Sequence, residues 1–123
     1  MKLYRVVDRV SWRTTQLSGF VPRCNSDQRE NHVHLNLRES VERVAAAYFE
    51  PCEEPLVLEI DAESLGCEIT WQEPSDQKPW KQACAQIKNI PLESVMRVFG
   101  LDANFVDGKN VFVMKSIDGK AAG

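Results

Sequence analysis

The sequence lacks the patterns by which several common kinds of site are recognised. Its four cysteines include no CxxC pair, and its two histidines stand apart from all of them. A structural zinc site is therefore not expected, and the sequence assigns no metal. The glycine-rich phosphate loops, the GxSxG elbow and the HExxH helix are also absent. These absences exclude the common nucleotide-binding, hydrolase and zincin mechanisms at the level of motifs.

Long apolar runs are missing as well. No segment approaches the length of a membrane span, and residues 1–10 carry four charged side chains where a signal peptide would be apolar. We therefore predict a cytoplasmic protein without membrane contact, whose thiols are reduced. The even number of cysteines leaves a disulfide-bonded form as the alternative.

No block of like charge is present. Fifteen Lys and Arg residues stand against eighteen Asp and Glu residues, which gives a net charge of −3. This balance argues against a nucleic-acid surface that depends on bulk charge. With 123 residues, of which 43% are hydrophobic and 27% charged, the chain is predicted to form one soluble domain. We expect a monomer or a small homo-oligomer.

The first third of the chain predicts a strand, a helix and a loop. β-prone residues over Leu3–Val7 indicate a strand, and Asp8 is a suitable N-cap for a helix that Gly19 would end. From Phe20 to Asn31 the composition is polar and shows no period. Such a segment is typical of a surface loop that flanks a site.

A second helix is predicted after a short strand. His32–Leu35 is predicted to be extended, and Asn36 with Glu39 three residues later is similar to a capping box. Pro51 prevents the helix from continuing. The apolar residues with helical spacing are Val41, Val44, Ala45 and Tyr48.

The rest of the chain predicts mainly strands. Pro55–Ile60 is typical of a buried strand, and Cys67–Gln72 and Ser94–Leu101 are predicted to be two more. Trp80–Lys88 is ambiguous, because its apolar residues have helical spacing but the run is short for a helix. The pair Asp107–Gly108 between two apolar runs predicts a hairpin. The architecture is therefore predicted to be α+β, a single small domain with mixed or antiparallel sheets and two main helices.

The clearest chemical pattern is His32-Val33-His34. Side chains two residues apart on a strand lie on one face, so both imidazoles can converge on one ligand. They could bind a phosphate or a metal, or one could act as an acid or base. The alternative is an edge strand with one solvated histidine and one bonded to the backbone. A metal would need further ligands, and neither Asp27 nor Glu30 has the spacing of a metal motif.

Arg5 and an aromatic pair are the next candidates. An arginine among apolar neighbours needs an anion, a carbonyl or water at the end of the sheet, and a phosphate or carboxylate ligand would supply the anion. The alternative for Arg5 is an ion pair with Glu59 or Asp61. Tyr48 and Phe49, at the end of the second helix, either stack on a flat ring or belong to the core.

Short stretches over the first hundred residues follow a known order. They are Leu3-Tyr4-Arg5-Val6, His32-Val33-His34-Leu35-Asn36, Ala47-Tyr48-Phe49, Leu56-Val57-Leu58-Glu59-Ile60-Asp61, Leu65, Trp71, Glu73-Pro74-Ser75 and Pro91-Leu92-Glu93-Ser94-Val95. In this order the chain resembles a family of small, mostly bacterial proteins called domain of unknown function 952, whose fold is ADP-ribosyltransferase-like. Residues 1–101 would form that domain, and residues 102–123 would be an appended C-terminal hairpin and tail.

The chain also departs from the family at three points. His34 matches the histidine of the family's second strand, but Asn36 stands where the family has serine and His32 where it has an aromatic residue. The family's second histidine, before the Pro-Leu turn, has no counterpart in Gln82–Gln86. These differences bear on any activity that depends on the second histidine.

The resemblance implies a cleft between two small sheets, where relatives of this fold bind NAD. By position, Arg5 would contact the phosphates, and His34 with Asn36 would support the nicotinamide ribose. Tyr48 would stack on the nicotinamide, and the Gln86 amide would touch the ribose. The catalytic candidates are thus His34 and Gln86, and the candidates for cofactor binding are Arg5, His32, Asn36 and Tyr48.

Two functions remain open at this point. The first is a domain that binds NAD, ADP-ribose or a related phosphorylated nucleotide, as a degenerate relative of the transferases. Any turnover would be a transferase or glycohydrolase reaction at the nicotinamide-ribose bond. The second is a non-enzymatic protein–protein interaction module whose cleft is filled by side chains. The first predicts that Arg5, His34 and Gln86 face one open concavity, and the second predicts an ion-paired Arg5 in a plugged one.

Overall fold

The chain folds around a seven-stranded antiparallel sheet. In the computed structural model, which describes residues 1–116, the strands are β1 (Lys2–Val7), β2 (Phe20–Val21), β3 (Val33–Asn36), β4 (Leu56–Asp61), β5 (Ile69–Gln72), β6 (Gln82–Ala85), β7 (Ile90–Pro91), β8 (Val95–Val106) and β9 (Lys109–Ser116). The large sheet has the order β5-β6-β3-β1-β4-β8-β9, and β2 pairs with β7 in a separate small sheet. The architecture is therefore α+β, as predicted, with antiparallel pairing in both sheets.

Three helices accompany the sheet. They are α1 (Arg9–Ser18), α2 (Asn25–Glu30) and α3 (Val41–Tyr48), and short 3₁₀ turns cover Arg38–Ser40, Pro51–Glu53, Ala62–Leu65 and Leu92–Ser94. None of the helices in residues 1–116 is long and apolar enough to cross a bilayer. The thiols of all four cysteines are free.

The two faces of the sheet carry separate apolar clusters. Because side chains alternate along β1, Leu3 and Val7 enter one cluster, whereas Tyr4 and Val6 enter the other. The second cluster includes the buried residues of α3 and the fully buried Phe112 of β9. β9 therefore packs against α3 and is part of the core.

The first helix is formed by the signals that predicted it. The Asp8 side chain accepts a hydrogen bond from the Ser11 backbone N–H at 3.3 Å, which is an N-cap contact. Gly19 adopts a φ of 85° at the C-terminal end, a conformation that favours glycine. The predicted strand Leu3–Val7 and helix after Asp8 are therefore confirmed.

The predicted capping box at Asn36 is wrong. Asn36 is the last residue of β3, and a 3₁₀ turn with Leu37 at its N-cap precedes α3. The Asn36 amide oxygen instead accepts a hydrogen bond from Gln82 of β6 at 3.2 Å. Asn36 is buried beside a pairing strand, so its side chain bonds across the sheet rather than to a helix end.

The polar segment Phe20–Asn31 is not all loop, which corrects the prediction. It contains β2 and α2, and Asn31 ends α2 with a φ of 58°. The helix has no apolar period because most of its residues face solvent, and Asp27 is its one buried residue. A helix held by a polar contact leaves no hydrophobic pattern in the sequence.

The ambiguous segment Trp80–Lys88 contains a strand. All four residues of β6 are buried, because β6 lies between β3 and β5 in the sheet. The predicted strand Ser94–Leu101 corresponds to the first half of β8, which continues to Val106 across the predicted domain boundary at residue 101. The predicted hairpin turn is present, with positive φ at Asp107 and Gly108. Residues 117–123 of the predicted tail lie outside the described residues.

Candidate functional site

The site is built where β1 and β3 come together. The two strands pair at Tyr4 and Asn36. One residue along β1, the Arg5 side chain donates from Nη1 to the His34 backbone carbonyl at 2.8 Å. A guanidinium thus joins the two strands next to their backbone pairing.

Asp27 of α2 organises the buried polar groups around this point. Its Oδ2 lies 2.6 Å from Arg5 Nη2 and accepts a hydrogen bond from the Cys24 backbone N–H at 3.1 Å. Its Oδ1 accepts hydrogen bonds from the His34 backbone N–H at 3.0 Å and from His34 Nδ1 at 2.8 Å. Asp27 is completely buried, so these contacts fix α2 to both strands.

This environment keeps Asp27 ionised. Burial alone would raise the pKa of the carboxyl, but the hydrogen bond from His34 and the charge of Arg5 outweigh it and hold the pKa well below its usual range. Since the carboxylate only accepts, His34 Nδ1 must carry the proton in this bond. The His34 ring is therefore oriented with Nε2 on its far side.

A cleft opens between α2 and α3 on one face of the large sheet. Its volume is about 570 Å³, and its lining includes Arg5, His34 and Asn36. The strands of the small sheet do not contribute to it. The expected cleft between two sheets is thus replaced by one between two helices, because α2 occupies the segment that was predicted to be loop.

The rim of the cleft combines cations with an aromatic ring. Arg29 near the end of α2 and Lys78 on the loop between β5 and β6 both line it. Tyr48, at the end of α3, also lines it, and 54% of its surface is exposed. The Tyr48 ring meets the Trp80 ring edge-on with centroids 6.1 Å apart. One side of Tyr48 is therefore anchored on the protein and the rest faces solvent.

An amide pair lines the inner part of the cleft. Gln82 of β6 stands opposite Asn36 of β3 in the sheet and donates from Nε2 to its Oδ1 at 3.2 Å. Gln82 Oε1 is buried and has no hydrogen-bond partner among residues 1–116. A buried acceptor without a partner is costly, so this atom is suited to receive a hydrogen bond from a ligand.

The structure brings together most of the residues selected from the sequence. Arg5, His34, Asn36 and Tyr48 line the cleft, and His32 lies beside His34 with ring centroids 4.7 Å apart. Gln86 is exposed and does not line the cleft, and its backbone N–H donates to the Glu68 carbonyl at 2.9 Å.

Arg5 has its expected ion pair, but with an unexpected acid. Its partner is Asp27, whereas Glu59 accepts a hydrogen bond from the Tyr4 hydroxyl at 2.9 Å. Sequence reasoning also did not select Arg29, Lys78 and Gln82, which line the cleft. The available signal for Asp27 was its place three residues after Cys24, where an acid can bond back to the first backbone N–H of a helix.

Fold and site together define a small antiparallel α+β protein with a polar cleft over a buried Arg–Asp–His network. Residues 6–98 match the model of the family described as protein of unknown function (DUF952). The chain therefore belongs to this family, as the resemblance in its sequence indicated. No curated protein matches the chain.

Solved structures show the same fold. The crystal structure of protein CC0527 from Caulobacter crescentus is 21% identical, with a TM-score of 0.72 over 89% of this chain and 93% of that one. A double mutant of the same protein gives 20% identity and a TM-score of 0.72. Its solution structure gives 23% identity and a TM-score of 0.64 over 88% and 90% of the two chains. At these identities the likeness concerns the fold.

Proposed function

We propose that the cleft binds NAD, ADP-ribose or a related phosphorylated nucleotide, and that the fold is ADP-ribosyltransferase-like. The observation that carries the proposal is the convergence of two cations, an aromatic ring and an unpartnered buried acceptor on one open cleft. Its volume of about 570 Å³ lies within the range of small-molecule sites, about 300–1,000 Å³.

The phosphates are assigned to Arg29 and Lys78. The sequence suggested Arg5 for this role, but its guanidinium is held by Asp27 and the His34 carbonyl and is 7% exposed. Arg29 and Lys78 carry their charge at the rim, where a pyrophosphate keeps part of its hydration. Arg5 is thus a positioning residue that holds α2, and through it the rim, against the sheet.

The base and the ribose of a nucleotide would also have side chains to contact in the cleft. The exposed face of Tyr48 is suited to stack on a nicotinamide or adenine ring. Gln82 Oε1 and the carboxylate of Glu53, which also lines the cleft, can accept hydrogen bonds from ribose hydroxyls. We assign binding rather than turnover, because the Gln86 amide expected to orient the ribose lies outside the cleft.

Calorimetric titration with ADP-ribose and NAD tests the assignment. We expect Lys78→Ala and Tyr48→Ala each to weaken ADP-ribose binding by about tenfold, a loss of about 1.4 kcal/mol. Lys109→Ala, which removes an exposed lysine from the first position of β9, is the matched control and should bind like the wild type. An absence of binding at millimolar ADP-ribose, or equal effects of Lys78→Ala and Lys109→Ala, would refute the proposal.

A second candidate function rests on the β8–β9 hairpin. Phe105 is 74% exposed, and Val106, Val111 and Val113 also present apolar surface there. β9 is the last strand of the described sheet, so its edge can pair with the same strand of a second copy. Sedimentation equilibrium should then show a dimer that Val113→Lys dissociates, and a wild-type monomer at all concentrations would reject this candidate.

A further inference from the structure

We propose a second site, a zinc centre formed by His32, His34 and Cys84 with Glu30 as the fourth ligand. The ring nitrogens and the thiol sulfur of the first three lie within 4.8 Å of one another. Glu30 Oε1 lies 3.3 Å from His34 Nε2 and 3.6 Å from His32 Nε2. Of these four residues only His34 lines the cleft, so the centre is separable from the nucleotide proposal.

The sheet brings the ligands together from distant parts of the chain. His34 and Cys84 stand directly opposite each other on β3 and β6, and side chains at such positions share one face. His32 immediately precedes β3 and Glu30 ends α2. The sequence shows no zinc motif because strand pairing, not local spacing, supplies the cysteine.

The orientation of His34 leaves a lone pair that needs a cation. Because Nδ1 donates to Asp27, the neutral ring has an acceptor at Nε2, and this acceptor faces the carboxylate of Glu30. Nε2 of His34 and Nε2 of His32 are both buried and without a hydrogen-bond partner among residues 1–116. The His34 side chain is only 4% exposed. Glu30 Oε1 also accepts a hydrogen bond from Gln72 Nε2 at 3.1 Å, and the lone pair of His34 Nε2 beside this carboxylate suits a positive ion.

The distances suit zinc. Zn–N bonds of about 2.0–2.1 Å and Zn–S bonds of about 2.3 Å in a tetrahedron separate the ligand atoms by about 3.3–3.6 Å. The distances from Glu30 Oε1 to both imidazoles already have this length, and small side-chain rotations would bring the others to it. Asp27 supplies the carboxylate that supports a metal-bound histidine from its other ring nitrogen.

The donor set selects among metals. Two imidazoles, one thiolate and one carboxylate match the ligands of Zn²⁺, whereas Ca²⁺ and Mg²⁺ prefer oxygen alone. Four protein ligands would fill the coordination shell, as in structural zinc sites. Metal binding would therefore tie α2 to the β3–β6 pair.

Titration of the chelator-treated full chain with zinc chloride, without nucleotide, tests this centre. We expect one zinc ion per chain with a dissociation constant below about 1 µM. Substitution by Co²⁺ should give the visible bands of a tetrahedral site together with a thiolate-to-cobalt charge-transfer band. If the charge between these residues is only a proton on His34, no stoichiometric zinc will bind and the proposal fails.

Two ligand variants and one control complete the experiment. His32→Gln and Cys84→Ser should each weaken zinc binding at least about tenfold, and Cys84→Ser should abolish the charge-transfer band. Cys52→Ser removes an exposed thiol elsewhere and should bind like the wild type. The partly exposed His32, at 16%, provides a variant that keeps the fold, which circular dichroism verifies. Zinc binding that neither ligand variant weakens would overturn the assignment.

Discussion

Asp27 connects more of the site than any residue selected from the sequence. It accepts hydrogen bonds from Arg5, His34 and the backbone of Cys24, and it is fully buried. The sequence identified Arg5 and His34 because their residue types are conspicuous, but an aspartate in a polar segment resembles any solvated acid. Apart from its place three residues after Cys24, only the fold of α2 distinguishes it from its neighbours.

Removal of the Asp27 charge should destabilise the protein strongly. Asp27→Asn leaves the Arg5 guanidinium buried without a counter-charge, and we expect a loss of about 3–5 kcal/mol in the free energy of unfolding. Urea denaturation at neutral pH measures this loss. Asp102→Asn, which breaks the exposed Lys115–Asp102 pair at 3.0 Å, is the matched control and should cost less than about 1 kcal/mol. Equal losses would contradict the account.

The same carboxyl should make stability depend on pH in the acid range. The pKa of Asp27 is lower in the folded chain than in the unfolded chain, where it is about 3.9. The unfolded state therefore takes up the proton first, so the stabilisation is complete well above pH 4 and decreases as the pH falls below it. Urea denaturation of metal-free protein between pH 6 and pH 3, flanking the pKa of about 3.9, should show a steeper decrease for the wild type than for Asp27→Asn. If the free energy of unfolding decreased equally with pH in both proteins, the pH dependence would not come from Asp27.

At the scale of elements, prediction succeeded where local signals are strong. Asp8 and Gly19 mark the two ends of α1, and Asp107–Gly108 forms the hairpin turn. Both were predictable because caps and turns depend on adjacent residues. Prediction failed for α2, remained ambiguous for β6, and wrongly placed a capping box at Asn36. The helix α2 depends on the buried ion pair between Arg5 and Asp27, and β6 depends on the two strands that flank it. Neither contact can be seen in a short window of sequence.

The β8–β9 hairpin provides a test of how far the core extends. Phe112 of β9 is 1% exposed and packs in the cluster with α3, so Phe112→Ala should lower the free energy of unfolding by about 3–5 kcal/mol. Phe105, on the same hairpin but 74% exposed, provides the matched control, and its alanine variant should change stability by less than about 0.5 kcal/mol. Thermal and urea denaturation measure both. If neither variant lowered the free energy of unfolding, β9 would not contribute to the core and this account of the hairpin would be wrong.

At the scale of the whole molecule, the sequence predicted the α+β class, the family and four cleft residues. Arg5, His34, Asn36 and Tyr48 line the cleft because β1 pairs with β3 and α3 packs against β1. The rim residues Arg29 and Lys78 had no such signal, since isolated basic side chains are common on any surface. The position of the cleft between α2 and α3 followed only from the folded chain.

The most direct test of the central proposal is to map where ADP-ribose perturbs the backbone amides of the full chain by NMR. The account predicts concentration-dependent shifts that cluster at residues 24–29, 48–49 and 78–82, which line or flank the cleft, and unchanged amides at the hairpin turn, Asp107–Gly108. No shifts at millimolar ADP-ribose, or shifts that cluster on the hairpin and spare the cleft, would contradict it.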